Sequence, residues 1–363
     1  MYQYVTPLRK TDSENQNPHH KTKHRNSNIE FLRLVAMFMV LCLHVNFMSI
    51  GYPTTECCHA QPVQSFFRIF FEMICIISVN LFVFISGWFS IKPRLVGFLR
   101  FIFQCVAVLA IVYCIGLFLG YAEMNFLQIR EVFFAVGNGW FITAYAFLYI
   151  LSPVLNKFCE EASEKTVRNF LIAFYIFQTV YGNILQTSGY YSSGYSAFSF
   201  MGVYIVARYM RLYGQRWYKY GLRLYMISAA AMVLIYYFVR YHGIPIVPDW
   251  LMAYTSPLNI LACIGLVCWV ANKPPRHNRA VNFIAASAFA VYLCHVCLTW
   301  TVKKYVFVAK YIFENFSGLG YLLVITGFML SVFCLSIIID RIRIVLWNLI
   351  EPFVKDKLGK FSV

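Results

Sequence analysis

Arg33 and His44 are the two residues whose types and spacing point most directly to chemistry. Eleven positions separate them. At ~100° per residue an α-helix turns about 1100° over that distance, three turns plus ~20°. Both side chains therefore leave the helix from one face, with roughly 16 Å of rise between them. The residues between are apolar apart from Cys42. A guanidinium grips phosphates and carboxylates; a neutral imidazole takes up a proton or an acyl group. The pair reads as an anion anchor below a proton-handling group. Singly, each residue has a plainer reading. An Arg at the start of a membrane helix anchors to lipid headgroups, and a membrane His hydrogen-bonds a neighbouring helix. The shared face favours chemistry.

The element carrying them must cross a bilayer. The chain has 363 residues, 60% hydrophobic and 13% charged, with mean hydropathy +0.62. A soluble domain carries about twice that charged fraction. The expected fold is all-α, a polytopic integral membrane protein. Ten apolar stretches are long enough to span, at roughly 31–50, 69–89, 98–120, 138–157, 168–186, 196–213, 222–240, 252–271, 281–302 and 320–340. With the N-terminus inside, 24 Lys and Arg fall in inside segments and six outside, Arg33 lying within the first helix. That bias places both termini in the cytoplasm. The net charge of +16 thus reflects membrane orientation, with membrane lipids as partners and no nucleic acid.

Residues 1–27 read as a disordered basic cytoplasmic tail, too long and polar for a signal peptide. Residues 28–345 form the membrane domain, and 346–363 a second basic tail. The twelve cysteines sit mostly in apolar runs and show neither zinc-site spacing nor a disulfide framework, so no metal is expected. There is no Gly-rich phosphate loop and no G-x-S-x-G elbow. Segment 121–137 has apolar residues at helical spacing and reads as an interfacial amphipathic helix. Loop 187–195, rich in Tyr, Ser and Gly, suits either a sugar-contacting loop or an ordinary flexible turn.

Four blocks, in order, carry a family resemblance. Arg33 and His44 follow the opening Asn28-Ile29-Glu30-Phe31-Leu32 as R-x10-H. Val79-Asn80-Leu81-Phe82-Val83-Phe84-Ile85-Ser86-Gly87 is a Phe-rich run ending in Ser-Gly. Gly139-Trp140-Phe141 continues through Tyr145 and Leu148-Tyr149 to Pro153 and Asn156. Ser287-Ala288-Phe289-Ala290-Val291-Tyr292-Leu293-Cys294-His295 is a late Ser-Phe-x-x-Tyr-Leu-x-His element. Together they resemble the acyltransferase-3 family of integral membrane acyltransferases. In one place the chain departs from it: many members carry Arg-x-x-Arg where the third helix begins, and here Arg94 and Arg100 stand in that region.

The resemblance implies transfer of an acyl group, usually acetyl from acetyl-CoA, to a sugar hydroxyl of a cell-surface glycan or its lipid-linked precursor, in the cell's inner membrane. The residues can serve such chemistry. A cytoplasmic thioester donor carries phosphates, and Arg33, Arg94, Arg100 and Arg208 map to the inner face, with Ser86 near the donor's path. His44 and His295 are expected at similar depth, about 13 and 14 residues into parallel helices. Trp140, Tyr145 and Tyr292 offer an aromatic wall and hydroxyls for a sugar. His44 acts either as general base or as transient acyl carrier, and the sequence leaves both open. Glu30 is a candidate partner for Arg33, and Glu72, near the outer end of the second run, is either an intramembrane carboxylate or a water-exposed end residue. The rival reading is a transporter or flippase using the same intramembrane His and Arg. The oligomeric state is not legible.

Overall fold

The computed structural model describes residues 26–134, 139–185, 192–244 and 248–359. These residues form helices and connecting turns, without a strand. In chain order the first helices are α1 (Ser27–Leu43), α2 (Thr55–Ala60), α3 (Pro62–Cys75), α4 (Ser78–Phe89) and α5 (Leu95–Phe118). Then come α6 (Phe126–Phe134), α7 (Trp140–Glu161), α8 (Glu164–Phe177), α9 (Ala197–Tyr213) and α10 (Gly221–Tyr241). The last six are α11 (Pro248–Met252), α12 (Pro257–Ala271), α13 (Arg279–Ala285), α14 (Ala288–Val296), α15 (Thr299–Asn315) and α16 (Gly318–Gly359).

Among the described residues, eight helical segments are long and apolar enough to cross a membrane: Ser27–Met48, Pro62–Phe89, Leu95–Phe118, Trp140–Glu161, Gln215–Tyr241, Trp250–Ala271, Arg279–Val296 and Gly318–Leu358. Of the ten expected stretches, 168–186 and 196–213 are missing from this set. Both coincide with helix, α8 with its π-helical extension Gln178–Ile184 and α9. α9 is packed inside the protein against α4, α7 and α8 and buries Ser199 and Arg208. A helix enclosed by other helices need not be apolar all round.

The outward surface is apolar. Phe118 on α5 and Leu323 and Leu349 on α16 are largely exposed, as suits a lipid-facing surface. The interior brings helices together through small residues. A Cβ on Gly265 of α12 would lie 2.6 Å from the Tyr225 backbone nitrogen of α10, so these backbones approach as closely as glycine allows. α1 is the hub, touching α3, α4, α12, α13, α14 and α16.

Residues 1–25 lie outside the described residues, but Asn26 and Ser27 belong to the folded unit. Asn26 Oδ1 caps α1 by accepting the Asn28 N–H at 3.0 Å. Ser27 Oγ donates to Asn282 Oδ1 at 2.9 Å, and Asn28 Nδ2 donates to the Pro274 carbonyl at 2.8 Å. Beyond residue 346, α16 runs on to Gly359, so most of the segment read as a tail is helix. Segment 121–137 contains α6, with residues 135–137 outside the described set. Loop 187–195 is described only from residue 192 onward.

Candidate active site

α1 does not end as a regular helix. His44–Met48 form a π turn, and His44 is its first residue. π turns inside α-helices are uncommon and concentrate at functional sites. The His44 Nδ1 atom lies 2.8 Å from His295 Nε2 on α14, the ring centroids 5.0 Å apart. His295 is buried, and its Nδ1 is hydrogen-bonded to the Val291 carbonyl one turn back. The Tyr305 ring of α15 packs on His295 at 5.1 Å, and its hydroxyl donates to the Leu41 carbonyl at 3.0 Å.

These bonds fix the protons. A carbonyl only accepts, so His295 Nδ1 carries hydrogen. In a neutral ring its Nε2 is then a bare acceptor, and His44 Nδ1–H donates to it. The lone pair of His44 is left on Nε2.

His44 lines a narrow cavity of about 70 Å3. Met37, Val40 and Leu43 of α1, Val79 and Phe82 of α4, Trp140 and Phe141 of α7, and Phe289 and Tyr292 of α14 complete the walls with Tyr195 and Tyr254. Trp140 lies 4.4 Å from Tyr195 and stacks on Tyr254 at 6.1 Å, ring centroid to centroid. The cavity thus offers one basic nitrogen, three tyrosines and an indole on an otherwise apolar surface, which suits an acceptor with hydroxyls and a flat apolar face. A second hollow, on the outward face of α5, is lined only by Ala110, Ile111, Cys114, Ile115, Phe118 and Leu119 and offers no comparable array of polar groups.

Of the residues expected to act together, His44, Trp140 and Tyr292 share the cavity and His295 backs it. Tyr145 and Ser86 lie next to it. Their hydroxyls meet at 3.0 Å, and Tyr145 stacks on the cavity residue Phe141 at 5.7 Å. Arg33 is one turn from Met37 on α1 and lies within electrostatic reach of Tyr145. Its Nη1 bonds Glu30 at 2.6 Å.

The other arginines stand apart from the cavity lining. Arg94 precedes α5 and is exposed. Arg100 pairs with Glu351 at 2.5 Å and lies over Trp347. Arg208 is buried and pairs with Glu160 at 3.0 Å. Tyr254 is the residue that sequence reasoning missed. It sits in the non-helical stretch between α11 and α12, just before Pro257 opens α12. Among the described residues no group of His, Cys, Asp or Glu is arranged to hold a metal ion.

A multi-pass helical protein with a half-buried His44 backed by a buried His295 and opening on an aromatic cavity is the class that fold and site define. The family model of the acyltransferase domain, Acyl_transf_3, matches residues 26–341. The chain belongs to the acyltransferase-3 family and is a membrane acyltransferase. Comparison with curated proteins and with solved structures gave no match.

Proposed function

We propose that the protein is a membrane O-acyltransferase that moves an acetyl group from cytoplasmic acetyl-CoA to a hydroxyl of a cell-surface glycan or its lipid-linked precursor, in the inner membrane. The observation that carries this reading is the His44–His295 hydrogen bond with His44 on the cavity wall. A hydroxyl attacks a thioester slowly until its proton is removed. In this reading His44 Nε2 takes that proton as the acceptor oxygen attacks the thioester carbonyl. The C–S bond then breaks, and the proton passes from His44 to the leaving CoA sulfur. His295 accepts from His44 throughout and steadies the imidazolium at the C-terminal end of α14, the favourable end of that helix for positive charge. Arg33 meets the donor's phosphates, with Arg94 as a second, exposed cation. Arg100 and Arg208 join only by releasing Glu351 and Glu160. The donor's acyl arm passes Ser86 and Tyr145 to reach the cavity. The acceptor ring lies against Trp140, Tyr254 and Tyr292.

The test uses inside-out membrane vesicles given radiolabelled acetyl-CoA. Label is expected in the envelope polysaccharide with the wild-type protein, and Arg33→Ala is expected to raise the KM for acetyl-CoA. If wild-type vesicles leave the polysaccharide unlabelled while cells holding the protein still carry acetylated glycan, acetyl-CoA is not the donor.

A further inference from the structure

We propose that Glu72, with Asn46 and Arg68, is a positioning group that holds the π turn at His44 and so sets the His44–His295 contact. This rests on the reading of His44 as the reacting base. A π turn interrupts the regular N–H to carbonyl ladder, and the groups it frees need other partners. Here they are met by side chains, one from the same run and the others from α3. Ser49 Oγ donates to the His44 carbonyl at 2.5 Å. The Glu72 carboxylate accepts the Asn46 Nδ2 at 2.9 Å and the Phe47 N–H. Asn46 Nδ2 also reaches the Arg68 carbonyl at 2.8 Å, and Arg68 Nε donates to Asn46 Oδ1 at 3.2 Å. Arg68 Nη2 ties down the Gly51 carbonyl, where the chain turns through φ +92°. Arg68 and Glu72 are one turn apart on α3. That single turn therefore satisfies the amide of Asn46 at both ends and fixes the chain on either side of it.

The opposite side of the same turn is where the active site is assembled. The Leu41 carbonyl, at the junction of α and π geometry, receives the Tyr305 hydroxyl. His44, the first residue of the turn, donates from Nδ1 to His295 Nε2. Reversion of residues 44–48 to regular helix would redirect every side chain after His44 and shift the backbone at Leu41, whose carbonyl accepts both the His44 N–H and the Tyr305 hydroxyl, and with it the His295 ring packed on Tyr305. Glu72 is buried, and a buried carboxyl that only neutralised Arg68 would not need Asn46 or the Phe47 amide. Its bonds run to the turn.

The test compares Glu72→Ala, Glu72→Gln, Asn46→Ala and His44→Ala in the full-length purified protein. The assay follows CoA thiol release from acetyl-CoA with the extracted envelope polysaccharide as acceptor. Thermal unfolding checks that each variant is folded, and 15N spectra of labelled histidine report whether His44 keeps its proton on Nδ1. Glu72→Ala and Asn46→Ala are expected to lower kcat on the order of 10²-fold, as a 1 Å misplacement does. The KM for acetyl-CoA should stay within about twofold, and the His44 signal should lose its single tautomer. Glu72→Gln keeps an acceptor oxygen for Asn46 and is expected to restore most of the rate. The proposal is overturned if Glu72→Ala turns over as wild type, or if Glu72→Gln is as slow as Glu72→Ala, which would make the charge itself the active property. An active His44→Ala would instead sink the base assignment, leaving the two failures distinguishable.

Discussion

At the residue scale, the account depends on which atom of each imidazole holds a proton. His295 presents a bare Nε2 to His44 because its other nitrogen is committed to the Val291 carbonyl. An amide oxygen can stand in for that acceptor, whereas a methyl group cannot. His295→Ala should therefore lower kcat by 10²-fold or more, on the order of a lost acid–base partner. His295→Gln should retain a measurable part of the rate, and comparing the two by initial-rate assay separates an acceptor role from simple packing. The sequence revealed both histidines and their common depth, since each lies a similar number of residues into a helix running the same way. It also offered Glu30 as a partner for Arg33, and the two bond at 2.6 Å. It could not reveal the direct contact between the imidazoles. That depends on α14 lying beside α1, and helix adjacency leaves no local mark in one chain. Arg100 and Arg208 show the converse. Their positions suited phosphate, but their carboxylate partners lie 251 and 48 residues away in the chain.

At the element scale, the site is built where helices break. α1 gives way to a π turn at His44. α11 gives way to α12 through residues whose backbone carbonyls are held by buried amides. Asn80 Nδ2 donates to the Tyr254 carbonyl at 2.9 Å and to Asn259 Oδ1 at 3.0 Å, while Gln178 and Asn183 both donate to the Thr255 carbonyl. Irregular backbone at membrane depth persists only when its polar groups are satisfied by protein or water. Asn80→Ala removes one such donor and should destabilise the protein by about 1–3 kcal/mol, read as an earlier unfolding transition in detergent. It should also weaken acceptor binding, because Tyr254 would no longer be fixed against Trp140. Gly265→Ala forces α10 from α12 and should cost about 1–3 kcal/mol with little direct effect on chemistry, a contrast the same melting and rate assays can show. Hydropathy made most helices legible, since lipid demands long apolar runs. It blurred the elements that lipid does not touch. α9 is buried by protein, and its Arg208 and Ser199 weaken the apolar signal that the other spans carry.

At the scale of the whole molecule, the expected topology has both termini in the cytoplasm and ten crossings, against the eight segments that meet the length and apolarity of a crossing among the described residues. Tags at residues 1 and 363 should both resist outside reagents in intact cells, and labelling of either would overturn the count. Cys57 gives an independent test, because the same topology places α2 outside. Its thiol is exposed, and the Thr54 hydroxyl, with the Thr54 backbone, holds it below the ordinary thiol value. A membrane-impermeant maleimide should therefore label intact cells, and Cys57→Ser should lose most of that label. A lowered thiol value means that thiolate persists to lower pH. The labelling rate should accordingly rise with a midpoint below the ordinary ~8.5, and Thr54→Val should move that midpoint upward. Labelling only after the cells are opened would invert the topology.

The most direct measurement is the turnover number of folded, full-length His44→Ala beside wild type, with acetyl-CoA as donor and the extracted envelope polysaccharide as acceptor. The account predicts a loss on the order of 10²–10⁴-fold, the span attributed to a positioned base. A His44→Ala protein that turns over within about twofold of wild type would contradict it.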